Sequence, residues 1–219
     1  MRLRYYLATG LLMLAGCGQS SDAAPAPTQP RGKPTAAARF DIAGVAVGDS
    51  LRTAAAALRD RGFTVHAFNG GWTFDDWVEN SRAKAEGRMP RVKADGPKEL
   101  QARKGVEFIY ANVRASGDGP ILETVGYTAP SNGRPREQLI AEVTRRYSSG
   151  FQPRPTMYRI CAKGEPACTR SQPEANYVQF TPDDPLKILL FAGGRQERQW
   201  RADFDAALRK RLGPAPASF

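Results

Sequence analysis

The chain has 219 residues, of which 25% are charged, and a formal net charge of +10 at pH 7. An excess of basic residues indicates possible partners and does not indicate the fold. It attracts polyanions such as lipid head groups, lipopolysaccharide phosphates, acidic polysaccharides and acidic peptides. An arginine-rich surface that binds nothing is the alternative interpretation. The sequence lacks a Gly-x-Ser-x-Gly elbow, a His-Glu-x-x-His pattern, a phosphate-binding loop and a dinucleotide fingerprint, so it points to none of those reaction classes.

The first residues predict an export signal. Arg2 and Arg4 precede an apolar run over 5–16, which is roughly half of the 20 residues that a membrane-spanning helix needs. The run ends in Leu14-Ala15-Gly16-Cys17, which resembles the lipobox of bacterial lipoproteins. The resemblance implies cleavage before Cys17 and acyl chains on its sulfur and amine, and the loss of two arginines would leave a formal charge of +8.

Two or more acyl chains form a stable membrane anchor, whereas one chain binds only reversibly. Gly18 follows the cysteine, and by analogy with enterobacterial sorting rules this favours the outer membrane, on the side that faces the periplasm. An ordinary secretory signal with an accidental cysteine is the alternative. Residues 18–39 hold four prolines and few apolar residues, which predicts a disordered or polyproline-like tether.

The folded part is predicted as a single domain over 40–214, followed by a short tail over 215–219. In chain order, residues 40–47 suggest a strand, and Asp49 or Ser50 caps a helix that Gly62 ends. Further helices are predicted over 72–85, 136–148 and 197–212. Alternating or apolar runs predict strands over 63–68, 106–113, 121–127, 156–161, 168–171, 176–181 and 186–191. Residues 86–104 are basic and are predicted as a long exposed loop, with a short helix near Glu99.

Helices that alternate with antiparallel hairpins predict an α+β fold, with an antiparallel sheet and three to four helices packed on one face. A helix, a glycine and an aromatic residue follow one another at Leu58–Phe63 and again at Tyr147–Phe151, which suggests a loose internal duplication. Residues 42–50, with the helix and the Gly62-Phe63 pair that follow, resemble small α+β domains of bacterial envelope lipoproteins of the BamE and OmlA type. This resemblance covers about 25 residues of the chain and implies architecture only.

Two cysteines remain beside Cys17, and an exported protein meets an oxidising compartment. Cys161 and Cys168 allow only one pairing, and the glycine and proline between them suit a turn that joins two strands. A bridge there is worth roughly 2.5 kcal/mol on the loop-entropy model. A zinc site is the weaker alternative because the spacing is wrong and the only histidine, His66, is distant in sequence. We predict no metal site, no cofactor and no catalytic residue.

Three candidate sites have structural alternatives. His66 lies in an apolar strand, where a lone histidine is more often structural than catalytic. Asp75 and Asp76 could act as paired carboxylates, but acidic residues are also expected in the first turn of a helix. Trp72, Phe74 and Trp77 could form an aromatic platform for sugar rings, or they could be core.

Basic residues dominate the segment 82–104 and are the strongest candidates for contact with an anionic surface. Eight cations oppose Glu86, Asp95 and Glu99, although a merely solvated loop would look the same. The cations are Arg82, Lys84, Arg88, Arg91, Lys93, Lys98, Arg103 and Lys104.

These patterns favour a lipid-anchored, non-enzymatic envelope protein that docks on an anionic lipid or polysaccharide or on an envelope protein. We predict no nucleic-acid partner, because an exported protein is not expected to meet nucleic acid. The first alternative is a periplasmic hydrolase or carbohydrate-modifying enzyme with a site near Trp72–Trp77. The second is an inhibitor or an immunity-type binder.

Overall fold

Four helices and eight strands are present among the residues that the structure, a computed structural model, describes: 40–147, 151–153, 158–161 and 173–213. The helices are α1 (Leu51–Asp60), α2 (Phe74–Ala85), α3 (Arg136–Tyr147) and α4 (Gly194–Leu212). The strands are β1 (Thr64–Gly71), β2 (Gly96–Lys104), β3 (Glu107–Arg114), β4 (Ile121–Ala129), β5 (Phe151–Pro153), β6 (Tyr158–Cys161), β7 (Tyr177–Thr181) and β8 (Leu186–Phe191).

All eight strands form one antiparallel sheet in the order β1-β2-β3-β4-β8-β7-β6-β5. The predicted α+β class is therefore confirmed. The sheet consists of two meanders, β1–β4 and β5–β8, whose last strands pair with each other along 124–129 and 186–191. Helix α1 precedes the first meander and α3 precedes the second, but α2 separates β1 from β2 in the first half, whereas α4 follows β8 in the second.

The hydrophobic core covers one face of the sheet. Side chains alternate between faces along a strand, and the row Leu100, Ala111, Val125, Leu190 and Val178 crosses five neighbouring strands on the buried side. Helices α1 and α3 pack against this face through Leu58 and Val143, among other residues of the same cluster. The amphipathic spacing of both helices predicted these contacts.

On the other face of the sheet, the side chains of β1 are exposed. Val65 packs against the core, whereas His66 is exposed, so the two side chains lie on opposite faces of β1. Phe68 lies on the same side as His66 and is 47% exposed.

Residues 96–104 correct the sequence interpretation. They form β2, which pairs with β1 on one side and β3 on the other, so the short helix near Glu99 is wrong and the predicted loop holds only for residues 86–95. Only Leu100 and Ala102 face the core, and charged residues surround them. The apolar alternation within β2 is therefore short. Residues 96–104 form a strand because they pair with neighbours on both sides, and not because their local propensity favours one.

Residues 40–47 form a tight turn and not the predicted strand. Ile42 and Val45 make an isolated bridge, and Ala43 and Gly44 between them have φ angles of 51° and 73°. The Gly44 N–H donates to Asp41 Oδ1 at 2.8 Å, so an aspartate side chain stabilises the turn. The predicted strand over 168–171 lies outside the described residues, as does the tether.

Helix α4 begins at Gly194, three residues before the predicted start. The residue before it, Gly193, lies very close to the backbone of Ala175. A Cβ atom on Gly193 would lie 2.2 Å from the carbonyl carbon and oxygen of Ala175. The Gly193 N–H also donates to Asn176 Oδ1 at 2.9 Å. These contacts fix the point at which the chain leaves β8 and enters α4.

Gly193→Ala is therefore expected to lower the free energy of unfolding by at least about 2 kcal/mol, since backbone atoms cannot move aside as a side chain can. Gly194→Ala is the matched control, because its nearest atom is the mobile Nη1 of Arg198 at 3.2 Å. We expect the control to change stability by less than about 0.5 kcal/mol. Urea unfolding of both variants measures the difference, and equal stabilities would contradict the close contact.

Candidate ligand-binding cavity

All three tryptophans of the chain, Trp72, Trp77 and Trp200, line one open cavity of about 590 Å³. We call it the tryptophan cavity. It lies where β1 ends, β2 begins, β3 ends and β4 begins, and α2 and α4 complete its wall. Its remaining lining residues are Gly71, Pro97, Lys98, Val113, Arg114, Ala115, Glu123, Arg201 and Phe204.

The start of α2 fixes the first two tryptophans. Thr73 is the N-cap: its hydroxyl accepts the Asp76 N–H at 3.0 Å, and Asp76 Oδ2 accepts the Thr73 N–H at 2.9 Å. Trp72 and Trp77 flank this capping box at the positions of a hydrophobic staple, in which the residue before the cap packs on the fourth helical residue. Their rings meet edge to face, with centroids 4.7 Å apart. The pair is therefore set by local sequence.

Helix α4 brings in the third tryptophan. Phe204 packs edge to face on Trp77 and Phe74, with centroid distances of 5.8 and 5.3 Å. Trp200 lies one helical turn earlier on the same side of α4. Arg211, near the end of the helix, donates to Asp75 Oδ1 at 3.0 Å. The aromatic contacts of α4 with α2 thus complete the cavity.

A charged cluster supports Trp200 from the sheet. The Arg114 guanidinium lies 5.1 Å from the centre of the Trp200 ring, which is cation–π distance. The same guanidinium forms ion pairs with Glu123 and, at 3.0 Å, with Glu197. The charge of Arg114 is thereby compensated, and the arginine holds both glutamates in a cluster of one cation and two anions, whose formal charge is −1.

Two further cations of the cavity remain uncompensated. Lys98 and Arg201 are exposed, and neither has a described carboxylate within 4 Å. The cavity consequently combines a broad aromatic surface with an excess of positive charge at its rim.

Asp75 and Asp76 have separate structural contacts. Asp75 is exposed and pairs with Arg211, whereas Asp76 is buried and also accepts the Lys93 N–H at 3.0 Å. The pKa of Asp76 is lowered, chiefly by the backbone N–H of Thr73 and against the effect of burial. The pair therefore fits the cap of α2 better than it fits general acid–base chemistry, which needs one carboxylate with a raised pKa.

Asp76→Asn is expected to lower the free energy of unfolding by about 1–3 kcal/mol at pH 7, because charge-assisted hydrogen bonds are lost. A lowered pKa in the folded state stabilises the fold above the ordinary value of 3.8. This stabilisation disappears as the pH falls through the lower, folded-state pKa. The two proteins should thus converge in stability in strong acid, as chemical unfolding at a series of pH values would show.

Asp75→Asn is the control for this experiment. Its ion pair is largely exposed, and such pairs contribute about 0–1 kcal/mol. A pH-independent difference between Asp76→Asn and the parent protein would contradict the role given to the Asp76 carboxylate.

The cations of 82–104 do not form one surface. Arg88 pairs with Glu79 and Glu86, which hold its guanidinium in the charged form and raise its pKa. Lys98 faces the tryptophan cavity, whereas Arg103 stacks on Phe108 at the other end of β2. Lys98 and Lys104 lie about 20 Å apart along the strand. The remaining members, Arg82, Lys84, Arg91 and Lys93, are exposed on α2 and on the segment that follows it.

Cys161 is fully buried at the end of β6 and is disulfide-bonded. Cys168 lies outside the described residues, so its pairing with Cys161 stays a prediction, as does the lipidation of Cys17. Within the described part of the chain, no group of three His, Cys, Asp or Glu side chains could hold a metal ion.

No protein-family model matches the chain, and no curated protein and no solved structure is significantly similar to it. The tryptophan cavity is therefore interpreted from its own chemistry. Sequence reasoning singled out Trp72, Phe74 and Trp77 but missed Trp200, Arg114 and Glu123 as members of the same site. The four-residue spacing of Trp200 and Phe204 on a helix was the available signal.

Proposed function

We propose that the protein is a lipid-anchored, non-enzymatic component of the bacterial envelope that binds acidic polysaccharide in the tryptophan cavity. The observation that carries the proposal is the convergence of three tryptophans and two uncompensated cations on one cavity of about 590 Å³. Ligand cavities of this size are usually apolar, with a few polar groups that select the ligand.

The aromatic surface suits sugar rings. A pyranose has faces of C–H groups and an edge of hydroxyls, so a tryptophan can cover a face while the hydroxyls stay hydrated or bonded. Burial of apolar area contributes about 25 cal/mol per Å². Trp77 is 40% exposed and can still lose surface to a ligand.

The cations favour acidic sugars over neutral ones. Lys98 and Arg201 stand at the rim without carboxylate partners, and unpaired cations next to a cavity raise the local concentration of anions. Uronic acids and phosphorylated or sulfated sugars carry such charges. The lipobox-like sequence at Cys17 supports an envelope location for the protein, and acidic polysaccharides occur in the envelope.

The carboxylates support binding rather than cleavage. Glycoside hydrolysis needs two carboxyl groups that flank the scissile bond, one of them a general acid. Glu123 and Glu197 are both paired with Arg114, and Asp75 is paired with Arg211. Each of these groups is engaged in holding the cavity walls.

Titration with oligosaccharides tests the proposal. All three tryptophans line the cavity, so intrinsic tryptophan fluorescence reports on this site alone. The full chain with Cys17→Ser is titrated with a galacturonic acid hexamer and, as a neutral comparison, a glucose hexamer. We expect a saturable change with the acidic hexamer that weakens as salt rises, because exposed charges are screened within about 8 Å at physiological ionic strength.

No fluorescence change with either hexamer would argue against a glycan-binding cavity. An equal response to both hexamers would contradict the proposed preference for acidic sugars. Chromatography of the sugars after incubation tests the alternative of an enzyme: shortened or modified chains would replace the binding proposal with a carbohydrate-active one.

A further inference from the structure

A second cavity, of about 560 Å³, lies at the opposite ends of the strands and on the core-bearing face of the sheet. It opens between the end of α1 and helix α3, where β2 ends and β8 begins. Its apolar floor includes Phe63, Val143 and Ile188, all of which belong to the hydrophobic core. Core surface is thus accessible from outside at this point among the described residues. We call it the inter-helix cavity.

Charged residues surround the mouth of this cavity, and cations outnumber acids. Both glutamates at the mouth already have partners. Glu142 accepts from Arg134 Nη1 at 2.6 Å, and Glu107 accepts from the Tyr127 hydroxyl at 2.7 Å.

Three cations at the mouth, Arg61, Lys104 and Arg146, have only neutral partners among the described residues. Arg61 donates to the Ala57 carbonyl at 3.2 Å, and Lys104 donates to the Arg61 carbonyl at 2.9 Å. The Arg146 guanidinium lies 5.5 Å from the centre of the Tyr147 ring. None of the three has a described carboxylate within 4 Å. An apolar floor is therefore joined to an uncompensated positive rim.

We propose that the inter-helix cavity binds a single-chain anionic amphiphile, with its acyl chain on the apolar floor and its carboxylate or phosphate at Arg61, Lys104 and Arg146. Burial of the acyl chain against the floor, whose residues Phe63, Val143 and Ile188 are 8%, 4% and 6% exposed, removes apolar surface of the ligand from water. The head group meets donors that have no anionic partner, and hydrogen bonds between charged groups are the stronger kind. This site is independent of the tryptophan cavity.

Calorimetric titration of the full chain with Cys17→Ser tests the proposal, since no acyl chain of its own can then compete. The probes are octanoate, decanoate and laurate below their micellar concentrations, with decyl phosphate, decanol and decyltrimethylammonium as ten-carbon comparisons. Each methylene that becomes buried should tighten binding about fourfold. The carboxylate and phosphate probes distinguish a fatty acid from a lysophospholipid as the ligand class.

Charge selectivity is the second readout. Decanoate or decyl phosphate should bind at least tenfold more tightly than decyltrimethylammonium. Equal binding of the cationic probe, or affinities that do not depend on chain length, would overturn the proposal. Acetate that binds as well as decanoate would also overturn it, because the apolar floor would then contribute nothing.

Substitutions place the binding at the inter-helix cavity. The double variant Lys104→Gln with Arg146→Gln should bind decanoate at least tenfold more weakly. Arg145→Gln should bind it as the parent does, since Arg145 is equally exposed on α3 but does not line the cavity. Unchanged affinity in the double variant would overturn the assignment. If that variant fails to fold, Arg146→Glu alone is compared with Arg145→Glu, and equal affinities of these two would overturn it.

Discussion

Trp77→Ala is expected to weaken binding of the acidic hexamer at least tenfold. The side chain is 40% exposed and stands at the cavity wall, so its free surface is what a sugar ring would cover. Loss of a buried large apolar side chain costs roughly 1.5–3 kcal/mol, and 1.4 kcal/mol corresponds to a tenfold change in affinity. Fluorescence titration remains possible because Trp72 and Trp200 still report on the cavity.

Phe68→Ala is the matched control for this prediction. Phe68 is a similarly exposed aromatic residue on β1, but it does not line the cavity. We expect it to bind the hexamer as the parent does. If both variants bind equally well, Trp77 makes no contact with the sugar, and the aromatic part of the proposal fails.

A second pair of variants separates charge from stacking. Arg201→Gln removes a rim cation, whereas Arg209→Gln removes an exposed cation from the last turn of the same helix, outside the cavity. Only the first should weaken binding of the acidic hexamer at low salt. Both should bind alike at high salt, where screening removes the electrostatic contribution.

Local sequence predicted most helices and several strands. The cap at Ser50 and the glycine at position 62 mark α1 as the structure has it. The strands predicted over 106–113 and 121–127 correspond to β3 and β4, which span Glu107–Arg114 and Ile121–Ala129. These elements have a strong signal of their own, because a cap or a regular apolar period acts within a few residues.

The elements that sequence reasoning missed depend on distant partners. β2 has few apolar residues and exists as the strand between β1 and β3. β5 has three residues and, within the described part of the chain, pairs with β6 alone. β5 is too short for periodicity to be read, and the core-facing apolar residues of β2 are limited to Leu100 and Ala102, so tertiary pairing decides both.

The candidate site likewise has one part that local sequence determines and one part that depends on distant contacts. Trp72 and Trp77 meet across the capping box of residues 73–76, and the box with its two flanking tryptophans occupies six consecutive residues that can be recognised in the sequence. Trp200 joins them only because β8 pairs with β4 and α4 then returns to α2. That arrangement depends on residues more than a hundred positions apart, so a local sequence pattern could not have predicted that Trp200 lies in the same cavity.

Cys17→Ser is expected to move the protein from the membrane pellet to the soluble fraction. The prediction depends on the resemblance of Leu14–Cys17 to a lipobox, which implies a thioether-linked lipid that serine could not carry. No helix among the described residues is long and apolar enough to cross a membrane. Removal of two or more acyl chains should therefore abolish stable attachment.

A high-salt wash makes this experiment decisive, since a basic chain can adhere to anionic lipid without any anchor. Peripheral attachment is screened at about 1 M salt, where charges interact over only about 3 Å, whereas acyl chains stay in the bilayer. The parent protein should remain in the washed pellet, and Cys17→Ser should leave it. A variant that stays in the pellet after the wash would show that something other than Cys17 holds the protein. In that case the envelope placement of the tryptophan cavity would lose its basis, while the glycan titration, which uses the unanchored chain, would stand or fall separately.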